Sequence, residues 1–197
     1  MKRVFVAAVI AAFAAVAAFA QEPVWKIDSA HSSAEFSVRH MMVSKVKGRF
    51  GKVSGTVTGD LSKPETVVID VTIDASSIDT GNENRDEHLR SADFFEVETY
   101  PTITFRSKQV EKAGEWYRVT GDLTMHGVTR EVVLDVEGPA APVRARNTLR
   151  SGASATTELD RTDFGVTWNR ALDTGGVVVS EEVDVEIEVE LVQQVAE

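Results

Sequence analysis

From Val183 to Leu191 the chain alternates without a break, Val183, Val185, Ile187, Val189 and Leu191 against Asp184, Glu186, Glu188 and Glu190. A period of two predicts a strand with one dry and one wet face. So acidic a wet face cannot lie against helices, so the sheet must cover its own apolar side, as a sandwich or a closed barrel does. Seven earlier runs fit the same template. Shared faces are formed by Phe36, Val38 and His40; Val53, Val57 and Leu61; Val67, Ile69, Val71 and Ile73; Ile103 and Phe105; Tyr117, Val119 and Leu123; Val132, Leu134 and Val136; and Ala153, Ala155 and Leu159. The pattern predicts an all-β protein of eight antiparallel strands.

One segment departs from this period. Thr80 and Glu83 have capping-box spacing ahead of residues 84–91, which lack β-branched side chains, so a short helix is expected there, lying across one barrel mouth. Leu89, Phe94 and Phe95 place apolar bulk beside it. The stretch from Gly138 to Thr148, with two prolines and two arginines, reads as a mobile loop.

The first twenty residues stand apart from the fold. Lys2 and Arg3 precede an apolar run ending in Ala18-Phe19-Ala20, which predicts a secretory signal peptide cleaved after Ala20 and a single domain over 21–197. Without Lys2 and Arg3 the chain holds 19 basic and 31 acidic residues, a surface that repels nucleic acid. With no cysteine, an exported chain has neither disulfides nor a thiolate nucleophile.

Several blocks, in order, resemble one family. Trp25-Lys26-Ile27-Asp28 with His31-Ser32 and Phe36-Ser37-Val38-Arg39-His40 opens the chain as YceI-like proteins open. Arg90-Ser91-Ala92-Asp93-Phe94-Phe95, Tyr100-Pro101-Thr102-Ile103-Thr104-Phe105, Gly121-Asp122-Leu123-Thr124-Met125-His126-Gly127 and Arg161-Thr162-Asp163-Phe164-Gly165 are similar to its later blocks. The resemblance implies an eight-stranded lipocalin-like antiparallel barrel in the periplasm, with a polyisoprenoid, an isoprenoid quinone or another long-chain amphiphile in its lumen. Unlike true lipocalins, the chain has no Gly-x-Trp before its first strand, Trp25 following Pro23-Val24.

Whether eight strands enclose a ligand or a solid core depends on inward side-chain volume. Gly55, Gly59, Ala153, Ala155 and Thr157 are too small to meet across the axis, which favours a cavity. The expected ligand contacts are Phe36, Val38, His40, Phe50, Phe94, Phe95, Ile103, Phe105, Ala153, Ala155 and Trp168, with Arg39 at the rim. Two acid-free stretches carry Arg39, Lys45, Lys47, Arg49 and Lys52, and Arg144, Arg146 and Arg150; meeting at one mouth, they would form a positive rim for an anionic head group. The four histidines lack metal-site spacing, and no Gly-x-Ser-x-Gly elbow is present, so no metal, catalytic residue or cofactor other than the bound lipid is expected. A carrier is therefore the favoured reading, compatible with transient membrane-surface contact and a homodimer. A packed structural barrel and a lipid-ester hydrolase are the alternatives.

Overall fold

The alternation of the last strand is one stave of a closed barrel. The computed structural model describes residues 22–173 and 175–195, so the expected signal peptide lies outside the described residues. Twelve strand segments are present among them: β1 (Val24–Ile27), β2 (Ser33–His40), β3 (Ser44–Phe50), β4 (Val53–Thr58), β5 (Val68–Asp74), β6 (Ile78–Asp79), β7 (Thr102–Ala113), β8 (Trp116–Met125), β9 (Val128–Glu137), β10 (Val143–Ala145), β11 (Thr148–Asp160) and β12 (Val179–Gln194). One helix, α1 (Glu83–Arg90), lies between β6 and β7.

The twelve segments make eight staves because four staves are interrupted. β1 runs on into β2, β3 into β4, β5 into β6, and β9 into β10, which follow one another along β11. At the first bend, the Ser32 hydroxyl accepts the Glu190 amide at 3.0 Å in place of a ladder carbonyl. At the second, Ser77 Oγ accepts the Lys52 amide at 3.2 Å. Each stave pairs antiparallel with the next, and β12 closes the ring by pairing with β11 on one side and β1 and β2 on the other. Among the described residues, closure leaves only the short β6 and β10 with a single partner strand each, so no long sheet edge is open.

At the upper end lie the β2–β3 turn, α1, the β8–β9 turn and the β11–β12 connection. At the lower end lie the β4–β5, β7–β8 and β9–β11 connections. α1 is capped two residues later than the sequence pattern suggests. Asn82, not Thr80, is the N-cap, its side chain accepting the Arg85 amide at 3.1 Å. Thr80 instead gives its amide, at 2.9 Å, and its hydroxyl to the buried Asp86 carboxylate. Arg90 fastens the helix to the barrel by donating to the carbonyls of Ser76 at 2.9 Å and Ile78 at 2.7 Å.

The segment expected as a mobile loop is hydrogen-bonded to the wall. β10 pairs with residues 148–150 of β11, and Ala140 exchanges bonds with Gly152 and Ser151. Pairing with a neighbouring strand supplies the ladder that its prolines and arginines do not announce.

Candidate ligand cavity

The lumen is a cavity of about 280 Å³ that runs along the barrel. Every stave contributes. Val183, Val185, Ile187 and Val189 of β12 face Ile69, Val71 and Ile73 of β5, with Phe105 of β7, Val119 and Leu123 of β8 and Leu134 of β9 around them. Leu89, Phe94, Phe95 and Val166 close the upper end, and Leu61, Pro64 and Pro139 the lower. Almost all the exposed lining is hydrocarbon, so the lumen presents nothing for a polar group to bind.

Two glycines hold the lumen open. Phe36 stands directly opposite Gly48, where a Cβ would come within 2.4 Å of its ring. Phe105, paired with Leu123, leans diagonally over Gly121, where a Cβ would come within 2.5 Å of its ring. Each ring therefore folds flat against the wall instead of crossing the axis. Gly55 and Gly59, expected to line the lumen, do not. They have φ of 146° and 125°, and a Cβ on Gly55 would lie 2.2 Å from the Asp70 carbonyl oxygen. Their role is close approach between the backbone of β4 and the neighbouring β5 segment.

Of the expected contacts, Phe36, Val38, Phe50, Phe94, Phe95, Ile103, Phe105, Ala153 and Ala155 are brought together around the cavity. Three fall outside the lining. His40 has the inward parity but sits beyond the lumen, opposite Val179. Arg39 is exposed on the outer face, where its amide donates to Ser180 Oγ at 2.9 Å. Trp168 packs on His88 and Phe94, both at 5.1 Å between ring centres, and so ties the β11–β12 connection to the segment after α1.

The sequence reading missed Arg161. It is buried and borders the cavity, yet its guanidinium points into the wall, donating to the carbonyls of Ser180 at 2.9 Å and Val166 at 2.5 Å. Burial draws its pKa below the usual arginine value, while Glu181 and Asp160 oppose the shift. It fastens the connection that roofs the upper end. Only its position in the Arg161-Thr162-Asp163-Phe164-Gly165 block marked it in the sequence.

The basic segments do not meet. β2 reaches the upper end, where His40 pairs with Val179, whereas Arg150 pairs with Val192 at the lower end. At about 3.3 Å per residue, that separation is roughly 40 Å along β12. Half of these cations are paired with acids, three of them in the first segment: Lys45 with Asp184 at 2.7 Å, Lys52 with Asp74 at 3.2 Å, Arg49 with Asp79 at 3.4 Å. Arg150 lies between Asp28, at 3.0 Å, and Glu190. Asp28, His31 and Glu190 also come close enough to share a metal ion, but Arg150 already supplies the cation there.

A sequence model of the YceI-like domain matches residues 25–191. The chain belongs to the YceI-like family. It is 40% identical over 164 residues to a UPF0312 protein of Staphylococcus aureus, a match covering 83% of this chain and 94% of that one. The crystal structure of Burkholderia cenocepacia BcnA superposes with a TM-score of 0.70 at 27% identity, covering 83% of this chain and 98% of BcnA. A polyisoprenoid binding domain from Saccharophagus degradans shares the fold at a TM-score of 0.62 and 19% identity, covering 87% and 98%.

Proposed function

We propose that this YceI-like protein is an exported carrier that holds a polyisoprenoid or another long-chain amphiphile in the barrel lumen, without catalysis. The observation that carries the reading is the hydrocarbon lining of the cavity along its whole length. A chain that leaves water for such a lumen gains about 0.8 kcal/mol per methylene, or roughly 3 to 4 kcal/mol per isoprene unit before ordering costs. The Saccharophagus degradans domain adds a precedent for polyisoprenoid binding within this fold. Export to the periplasm is supported by the charged, then apolar, leader over residues 1–20.

Recognition in this reading is by chain, because the exposed lining is almost wholly hydrocarbon, the guanidinium of Arg161 is turned into the wall, and the cations of the two basic segments lie on the outer surface. Protein purified from its own cells, extracted into organic solvent and analysed by mass spectrometry, should release a long-chain lipid. Affinity for isoprenols should rise with chain length until the lumen is full, and a prenyl pyrophosphate should bind within a few-fold of its alcohol. An apo mass only, with no uptake of isoprenols or fatty amides, would overturn the reading.

A further inference from the structure

We propose that the tip of the β2–β3 hairpin, Met41-Met42-Val43, docks on an anionic lipid bilayer and is where the carrier exchanges its chain with the membrane; the exchange rests on the carrier reading above. The Val43 amide donates to the His40 carbonyl at 3.1 Å, with φ of 51° at Met41 and 63° at Met42. Two consecutive positive φ values mark a type I′ turn, a place for Asn-Gly. Methionine at both positions helps neither the turn nor the core, for Met41, Met42 and Val43 are 44%, 57% and 82% exposed. Three consecutive apolar side chains at a hairpin point form a wedge suited to the acyl boundary of a bilayer.

Charge and position name the partner. No acid occurs from Phe36 to Gly59, and Arg39, Lys45 and Lys47 flank the tip on the outer face. Lys45 is paired with Asp184, while Arg39 and Lys47 form no ion pair among the described residues. Cations behind an apolar wedge match lipid phosphates above acyl chains. Glu181 and Glu182 on the adjoining β12 are exposed and repel the same phosphates, which confines contact to the tip. The wedge is far smaller than the roughly 800 Å² per partner that a stable dimer buries. It also adjoins the cavity wall. The Met41 amide donates to the Val178 carbonyl at 2.8 Å, and Val38 and Val179, on either side, line the lumen.

The test replaces the tip by residues that suit the turn, Met41→Asn, Met42→Gly and Val43→Thr together, so the melting temperature should hold or rise. Flotation with phosphatidylcholine vesicles containing phosphatidylglycerol should show at least a fivefold loss of bound protein. Uptake of geranylgeraniol from those vesicles should slow at least fivefold, while uptake of geranylgeraniol added in ethanol stays within twofold. Arg39→Glu with Lys47→Glu should weaken flotation on the anionic vesicles but not on phosphatidylcholine alone. A parent protein that does not float, a tip variant that floats like the parent, or a parent dimer that the tip variant dissociates would overturn the proposal. A parent that floats yet takes up no geranylgeraniol from either source would sink the carrier reading and leave the docking surface standing.

Discussion

The two sides of the barrel wall are built from different materials. On the β7–β9 side, Ile103, Phe105, Val110, Val119 and Val132 are buried and pack into one cluster. On the β11–β12 side, Ala153, Ala155, Val183, Val185 and Ile187 face the same lumen but remain half-buried. Both sides have the same alternation and long antiparallel ladders, with one register shift between Ser107 and Gln109 on the β7–β8 side, so the extent of backbone pairing does not distinguish them. The difference is side-chain volume: beside their valines, one wall carries Phe105 and Ile103 where the other carries Ala153 and Ala155. An interior packed throughout would bury both walls equally. The space therefore reaches the β11–β12 wall as well, where a ligand would touch the alanines, the side chains with the least volume of their own.

Substitutions that exchange the character of the two walls test this contrast. The largest effect is expected for Phe105→Ala, which removes a buried ring from the packed side and should cost about 3 to 5 kcal/mol in urea unfolding. Gly121→Ala comes next. Its new methyl would meet both the Phe105 ring and the Arg106 carbonyl oxygen at 2.5 Å. It should cost about 1 to 3 kcal/mol. It should also tip the ring into the lumen, lowering the lipid retained per mole. Ala155→Phe on the open side should leave stability within about 1 kcal/mol of the parent, the ring taking up space rather than overfilling it. Its lipid content should fall sharply. A clear loss of stability with lipid unchanged would show that β11 does not border a binding space.

The smallest effects belong to the outer face, where both walls are alike. The Asp184 carboxyl is held below the usual aspartate value by hydrogen bonds from Lys45 and then Ser37. A depressed folded pKa stabilises the protein above the unfolded value of about 3.9 and is lost as pH falls through the folded pKa, so the effect appears only below about pH 4. Asp184→Asn should flatten that acid limb slightly in thermal melts. Lys45→Ala should change stability at neutral pH by about 0.5 kcal/mol or less, since the pair is half exposed and screened by salt.

Much of the barrel is legible in the order of residues. Val183 to Leu191 announces its two faces because strand periodicity is a property of neighbours two apart, independent of what the strand will meet. The same local rule marks the eight staves and places Phe36, Val38, Phe105, Ala153 and Ala155 on the inward side. The blocks around Phe36, Tyr100 and Arg161 point to the family for the same reason, being contiguous stretches of sequence. The basic pair and apolar run over residues 2–20, on which the proposed export rests, are likewise a contiguous feature of the sequence.

What the tertiary structure decided depends on partners far along the chain. That Phe36 and Phe105 lie flat follows from finding Gly48 and Gly121 across the ladder, which no single strand reveals. Parity alone could not show that Gly55 and Gly59 serve backbone approach, or that His40 sits beyond the lumen. The two basic segments look ready to form one rim until closure sets them at opposite ends of β12. Trp168 reaches Phe94 from outside the lining because the β11–β12 connection folds over α1. Alternation determines which way a side chain points; register and closure determine what it meets there, because they join residues from a dozen to well over a hundred positions apart.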